Sequence, residues 1–515
     1  MNIKILKTSR IIISVFFFLL LIFFFIDFRN TLPWALGELL LYFQFIPSIL
    51  KFFSFTYLSL GFILVLILTV LYGRVYCSYI CPLGTLQDLF IYLKRKFRKN
   101  KKSNYTEPHN FLRYSILILT VLFFIFGSIA LINLLDPFSN FGRICSNLVR
   151  PIYIIANNGI AKLLNYFNNY SLYPAELKMT NLISLLFPFL FLILIIWFSL
   201  KHKRLYCNTI CPLGSFLGLL SNISVFKLKI NKNNCNKCEL CVKVCKANCI
   251  DSKNASIDMS RCVGCFNCVD ACNKKSINYN IISINKKTEE RTVSLNRRKF
   301  ILTSLALFGT MFSFGSSKNN NKEESPYPDN KKPVSPPGSK SLEHFTKICT
   351  ACHLCISACP TKVIQPSIFE YGLSGILQPL MNFKISFCNF ECTVCSSVCP
   401  SGAIIPLTKE QKKVTQIGIA VFVEKDCIVY TKKRDCGACS EHCPTKAVKM
   451  VKYENGLVIP EVTKELCVGC GACEYACPTK PKAIFVKSNP IHLIAKKPTI
   501  NKDNRKINYK EDFPF

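Results

Sequence analysis

Thirty cysteines carry most of the chemistry this chain could do. They fall in tight runs, which argues against the scattered pairs of a disulfide framework. Residues 349–360, CTACHLCISACP, show the pattern and its ambiguity. The first five letters, C-x-x-C-H, spell an attachment site for c-type haem. All twelve spell C-x2-C-x2-C-x3-C-P. In that run three close thiolates grip one face of an iron–sulfur cube and the fourth crosses to a second cube.

Repetition decides between the two. Beyond Cys349, Cys352, Cys355 and Cys359 come Cys388, Cys392, Cys395 and Cys399. Cys427, Cys436, Cys439 and Cys443 follow, with a longer first gap, and then Cys467, Cys470, Cys473 and Cys477. All four runs end in Cys-Pro, and only the first contains C-x-x-C-H. A haem site needs no further cysteines and proline in register, so no haem is expected and His353 reads as a spacer. Two sharing schemes stay open: neighbouring runs could exchange their fourth cysteines, or the first run could pair with the fourth.

Two earlier runs form the two-cluster bacterial ferredoxin pattern: Cys235, Cys238, Cys241, Cys245 and Cys262, Cys265, Cys268, Cys272. Crossing over puts Cys272 with the first trio and Cys245 with the second. Lys246 and Asn273 stand where a proline usually follows, which predicts looser loops. Zinc ribbons are the rival use of C-x2-C pairs. Complete runs of four favour six 4Fe–4S clusters.

A third pattern is duplicated. R-V-Y-C-S-Y-I-C-P-L-G-T, 74–85, returns as R-L-Y-C-N-T-I-C-P-L-G-S, 204–215. Packed together, the repeats would join Cys77, Cys81, Cys207 and Cys211 into a further metal or iron–sulfur site. The alternative is four reduced thiols capping helix ends. Pro82 and Pro212 suit the first turn of new helices, so the preceding spans are expected to end near Cys81 and Cys211. Residues 82–97 read as an amphipathic helix lying in the membrane interface. Cys145 and Cys249 have no place in any run.

The elements that must position these thiols are apolar. Half of the 515 residues are hydrophobic and the mean hydropathy is +0.28, too oily for a soluble chain and too polar for a purely membrane one. Runs 11–26, 56–72, 114–135 and 182–200 each approach the ~20 residues that cross ~30 Å of hydrocarbon. The first lacks a small-residue cleavage site and reads as a retained anchor. Basic residues at Lys4, Lys7 and Arg10, at 94–102 and at 201–204 place the N-terminus, the 73–113 loop and the chain after 200 in the cytoplasm. The net charge of +35 is therefore largely a matter of membrane orientation. No stretch interleaves basic and aromatic residues in a recognition fold, so no nucleic acid is expected.

Arg297, Arg298, Lys299 and Phe300 precede a modest apolar run at 301–315, which resembles a twin-arginine export signal and serves as a fifth anchor span. The expected order is a four-helix membrane domain of two parallel repeats (1–225), a cytoplasmic two-cluster ferredoxin domain (226–290) and the signal or anchor (291–316). A disordered linker (317–343), an exported four-cluster ferredoxin domain (344–490) and a polar tail (491–515) follow. The fold class is α-helical membrane domain plus α+β ferredoxin-like domains.

With these motifs in place, residues 1–290 resemble the membrane subunit of the quinol-dehydrogenase module of periplasmic nitrate reductase (NapH type). The core is also similar to that of the nitrous-oxide reductase regulator NosR. Residues 291–490 resemble the exported four-cluster partner (NapG type), so the chain looks like a fusion of the two. The resemblance implies a multi-pass protein of the bacterial inner membrane in anaerobic respiration. It would oxidise quinol, menaquinol for example, and pass electrons to an extracytoplasmic reductase or redox protein.

Six cubes make a wire, and no phosphate-cradling loop, G-x-S-x-G or H-E-x-x-H motif accompanies them. Quinol chemistry needs a proton acceptor as well. Asp136, in L-L-D-P-F at a membrane edge, is the candidate catalytic residue. Glu38, His109 and His202 are weaker ones, and Asp136 could equally be a helix-end turn. Two rival readings remain. One is electron supply, fed by a cytoplasmic ferredoxin, for maturing or reactivating an outer metalloenzyme; the other is a redox sensor.

Overall fold

The computed structural model describes residues 3–27, 34–51, 60–97, 105–175, 177, 182–281 and 332–497. The export-signal motif and the fifth apolar run lie outside the described residues. The N-terminal half is helical: α1 (Ile3–Ile26), α2 (Trp34–Tyr42), α3 (Phe45–Leu50), α4 (Leu60–Tyr72), α5 (Tyr76–Tyr79), α6 (Pro82–Phe97), α7 (Asn110–Ile125), α8 (Ala130–Leu135), α9 (Pro137–Ile144), α10 (Arg150–Tyr166), α11 (Leu182–His202) and α12 (Pro212–Ser221).

Two of these helices are long and apolar enough to cross a membrane, over Ile5–Ile26 and Leu185–His202. Both leave large apolar side chains exposed, such as Phe16 and Leu19 on α1 and Phe189 and Ile193 on α11. An apolar surface of that kind fits a hydrocarbon surround. The other two expected spans are shorter. The helix within 56–72 covers 60–72 among the described residues. The run 114–135 is not one helix: α7 stops at Ile125, Gly127 turns the chain at φ +78°, and α8 starts afresh at Ala130.

The spans also end earlier than expected. Gly73 (φ +80°) closes α4 and Lys203 (φ +60°) closes α11, at equivalent positions of the two repeats. A left-handed residue there terminates the helix before the cysteine motif begins. Each motif then forms its own turn, α5 in the first repeat and a π-helical turn at Tyr206–Ile210 in the second. Pro82 and Pro212 open α6 and α12 as expected.

The inner cysteine runs lie in a small α+β module with two antiparallel pairs, β1 (Phe226–Ile230) with β4 (Ile277–Ile281) and β2 (Ile250–Asp251) with β3 (Ser256–Ile257). The outer runs lie in a second module. It pairs β5 (Ile364–Pro366) with β6 (Pro379–Met381), β7 (Thr415–Phe422) with β10 (Ile484–Ile494) and β8 (Val448–Lys452) with β9 (Val458–Val462).

The two modules sit at opposite ends of α1. At its start Lys7 pairs with Asp270 of the inner module at 2.5 Å. Near its end Leu21 and Phe25 pack with Cys352 and Leu354 of the outer one. At 1.5 Å per residue, the 14 to 18 residues from Lys7 to Leu21 and Phe25 separate these contacts by roughly 21–27 Å.

Two expected boundaries are corrected. Residues 334–339, assigned to the linker, are buried against the outer module: Met381 N donates to Val334 O and Ile405 N to Gly338 O, both at 2.9 Å. Residues 491–494, assigned to the tail, finish β10, and His492 Nε2 meets Ser335 Oγ at 3.0 Å. In both stretches partners from distant sequence satisfy the backbone.

Candidate functional site

The backbone of each inner run, and of the first and last outer runs, is bent the same way around its thiols. The residue before the second cysteine and the one after it both have positive φ: Lys237 and Glu239, Gly264 and Phe266, Ala351 and His353, Gly469 and Gly471. Such residues turn successive N–H groups into one concavity, which favours negative charge. A one-turn helix then carries the third cysteine, as at Leu354–Ala358. Three residues past the fourth cysteine the chain turns again at Asn248, Lys275, Lys362, Gly402 and Lys446. At the two runs where Lys246 and Asn273 stand in place of proline, the same turn forms.

The thiols gather in fours. Cys235, Cys238, Cys241 and Cys272 line a cavity of about 170 Å³. Cys245, Cys262, Cys265 and Cys268 line a second, with Cys249 beside them. Cys427, Cys436, Cys439 and Cys477 line a third. Cys399 lies in electrostatic reach of Cys349, Cys352 and Cys355, as does Cys359 of Cys388 and Cys395 and Cys443 of Cys467, Cys470 and Cys473. The fourth cysteine thus lies with the trio of the neighbouring run throughout, the arrangement that the neighbour-pairing scheme expects. Among the described residues no three His, Cys, Asp or Glu side chains close to single-ion spacing. Concave N–H groups around four soft thiolates fit an anionic iron–sulfur cube.

In the outer module a hydroxyl two residues after the fourth cysteine faces its sulfur: Thr361 at 3.6 Å, Ser401 at 3.8 Å, Thr445 at 3.7 Å and Thr479 at 3.2 Å. In the inner module Ser276, four residues on, takes that part at 3.1 Å from Cys272 Sγ. Lys412, buried beside Cys388, adds a positive charge there.

Between the modules the two C-x3-C-P motifs meet. Cys77, Cys81, Cys207 and Cys211 are all buried and neighbour one another. Two fully buried arginines lace them together across the repeat. Arg74 Nη2 donates to Cys207 O at 3.0 Å, and Arg204 Nη1 donates to Cys77 O at 2.8 Å. Gly84 and Gly214 are required beneath them: a Cβ would lie 2.4 Å from Cys77 O or 2.2 Å from Cys207 O. Arg74 Nη1 also reaches Ser260 O of the inner module at 3.1 Å.

Asp88 on α6 joins three parts, meeting Arg204 Nε at 2.8 Å, Lys246 Nζ at 2.6 Å and Arg10 Nη1 at 3.3 Å. Burial alone would raise its carboxyl, but Arg204 and Lys246 hold it well below the usual carboxylate range.

Models of known families match these cysteine regions. A 4Fe-4S binding domain matches residues 55–100 and 184–231, the two C-x3-C-P repeats. A 4Fe-4S dicluster domain matches 348–412 and another 432–480, dividing the outer runs into the same neighbouring pairs as the thiols do. An uncharacterized protein of Methanocaldococcus jannaschii is 29% identical over 222 residues, 42% of this chain and 76% of its own length. NapH, a ferredoxin-type protein of Escherichia coli, is 27% identical over 220 residues, 40% of this chain and 63% of its own. NapF, another from that organism, is 32% identical over 136 residues, 26% of this chain and 74% of its own. The chain belongs to the ferredoxin-type iron–sulfur proteins. No solved structure matches it.

In this ferredoxin-type protein the outer module touches the helical core through His353, which is not the spacer expected. His353 is buried, with Nε2 2.9 Å from Leu377 O and Nδ1 3.0 Å from Asn147 Nδ2. A carbonyl and an amide N–H fix the neutral tautomer with its proton on Nε2. Burial, then Arg143, push the imidazole down to about 3. Cys145, unplaced in the sequence, packs beside Phe141, Cys352 and Leu354 in the same contact.

Asp136 caps α9: its Oδ2 accepts from Ser139 N at 2.8 Å and Ser139 Oγ at 2.7 Å. Its buried Oδ1 has no hydrogen-bond partner among the described residues. It lines an apolar cavity of about 230 Å³, walled by Phe45, Phe62, Phe124, Leu213 and Phe216 among others. Tyr76 and Tyr206, each within electrostatic reach of Asp136, also neighbour the repeat thiols. Arg143 neighbours Asp136 on one side and Cys349 and Cys352 on the other. His109 and His202 are exposed, and neither they nor Glu38 line this cavity. Arg74, Arg204, Gly84 and Gly214 all stand inside the quoted repeat. Their identical placement in both copies was the signal for them.

Proposed function

We propose that this ferredoxin-type protein is a membrane-bound quinol dehydrogenase that passes electrons to an extracytoplasmic reductase or redox partner. Six cages hold 4Fe–4S clusters: two inner ones on Cys235, Cys238, Cys241, Cys272 and Cys245, Cys262, Cys265, Cys268, and four outer ones on the neighbour-sharing sets. Cys77, Cys81, Cys207 and Cys211 jointly hold a further metal or iron–sulfur group between them. When bound, such groups accept and release single electrons. The inner module faces the cytoplasm and the outer module the opposite side, exported with its tether by the twin-arginine signal.

The single observation that carries the quinol reading is the free Oδ1 of Asp136 in an apolar cavity beside the thiol layer. The aromatic walls suit a prenylated ring. Asp136 takes the proton of the ring hydroxyl on Oδ1, while Ser139 holds Oδ2 in place. Tyr206 OH, donating to Leu135 O at 2.8 Å, fixes the backbone just before the acid. Asp136→Asn keeps the cap but cannot accept a proton. Menaquinol oxidation in membranes should fall by about 100-fold, the lower end of a general base's contribution. An unchanged rate removes Asp136 and this cavity from the account.

A second reading has one observation in its favour. Cys238 is exposed, and Lys237 and Lys274 rim the first inner cavity. That face suits an acidic one-electron carrier of the cytoplasm, making the protein a supply line for an outer metalloenzyme. Reduction of the outer clusters by cytoplasmic ferredoxin but not by menaquinol supports it.

A further inference from the structure

Five thiols line the second inner cavity. Cys249 is buried, and its Sγ lies 3.7 Å from Sγ of Cys245. Cys262 is its other close sulfur neighbour. Cys249 stands four residues after the last cysteine of its run. At that offset the other runs carry Ser276, Val363, Ala403, Ala447 and Pro481, none of them a thiol. Ser276 shows what the offset does: its N lies 3.4 Å and its Oγ 3.1 Å from Cys272 Sγ. The position sets a side chain against the sulfur of the run's last ligand.

The loop between the two cysteines is pinned. Lys246 is held by Asp88, and Ala247 O accepts from Asn208 Nδ2 at 3.2 Å. Both sulfurs line one cavity, 3.7 Å apart, from the same loop.

We infer that Cys249 is a reserve ligand of this cage, able to replace Cys245 on the same iron. The inference rests on the iron–sulfur reading of the cage. In the exchange the iron–sulfur bond to Cys245 breaks and one to Cys249 forms. The proton on Cys249 passes to Cys245, and no electron is gained or lost. The location gives the device a use. This cage abuts the arginine-laced thiol layer, with Arg74 near Cys262 and Arg204 near Cys265. Losing one ligand here would cut the path at its inner junction.

The test uses the full-length protein, purified without oxygen, with iron, acid-labile sulfide and electron paramagnetic resonance as readouts. Cys245→Ser should keep the wild-type iron content. The double variant Cys245→Ser/Cys249→Ser should lose up to about four irons per chain, the content of one cube, or leave a three-iron signal. Cys235→Ser, in the cage with four thiols, should lose iron as the double variant does. If Cys245→Ser loses as much iron as the double variant, the inference is wrong. Should Cys245→Ser not fold, Cys249→Ser alone decides. Under ferricyanide its three-iron signal should grow several-fold more than the wild type's, and equal growth overturns the inference. Wild-type protein without iron would instead overturn the iron–sulfur reading.

Discussion

At the scale of single residues, small polar groups set what each thiol can do. A hydroxyl donating to a ligated sulfur stabilises the reduced, more negative state. Thr479 is the nearest of the outer hydroxyls, 3.2 Å from Cys477 Sγ. A hydrogen bond worth about 1 kcal/mol corresponds to roughly 40 mV for one electron. Thr479→Val should lower one outer cluster by that order in a redox titration, with iron content unchanged. The repeat glycines are equally specific. Gly214→Ala sets a Cβ 2.2 Å from Cys207 O and near Arg74. It should destabilise the solubilised protein by about 1–3 kcal/mol in thermal unfolding. The cysteines themselves were legible because ligand spacing is local. His353 was not, because its partners Asn147 and Leu377 come from elsewhere in the chain.

At the scale of elements, ion pairs and hydrogen bonds join the parts. Asp88 binds α1, the second repeat and the inner module through Arg10, Arg204 and Lys246. Its depressed carboxyl contributes stability that is fully present above the ordinary value near ~3.9 and lost as pH falls below it. Asp88→Asn leaves three cations uncompensated. It should cost on the order of 3 kcal/mol at neutral pH and flatten the acid limb of unfolding followed by cluster absorbance. The outer contact rests on His353–Asn147 and the packing around Phe141 and Leu354. With a protease site inserted in 317–331, the cleaved outer module should stay on wild-type membranes and leave Asn147→Leu ones. Helix ends were legible only in part. Pro82 and Pro212 announced their helices, but Lys203 at φ +60° copies Gly73 through context alone. The same limit hid the break at Gly127, since an apolar run reads as continuous whatever its backbone does.

For the whole molecule, the two modules stand at either end of α1 with the buried thiol layer and the Asp136 cavity between them. On the proposed reading, a gap of ~30 Å of hydrocarbon becomes a series of shorter steps from cage to cage. The duplicated motif brings Cys77, Cys81, Cys207 and Cys211 together from two repeats, and these thiols are the proposed middle step. That convergence was legible from the repeat. The apolar cavity was not, since Phe45, Phe124 and Phe216 share no pattern in the sequence. The account stands or falls on the metal load. Anaerobically purified full-length protein should contain about 24 irons and as many acid-labile sulfides from its six cages, four per cube, with any group at the repeat thiols adding to that. Zinc in place of iron, or iron for the two inner cages alone, would contradict it.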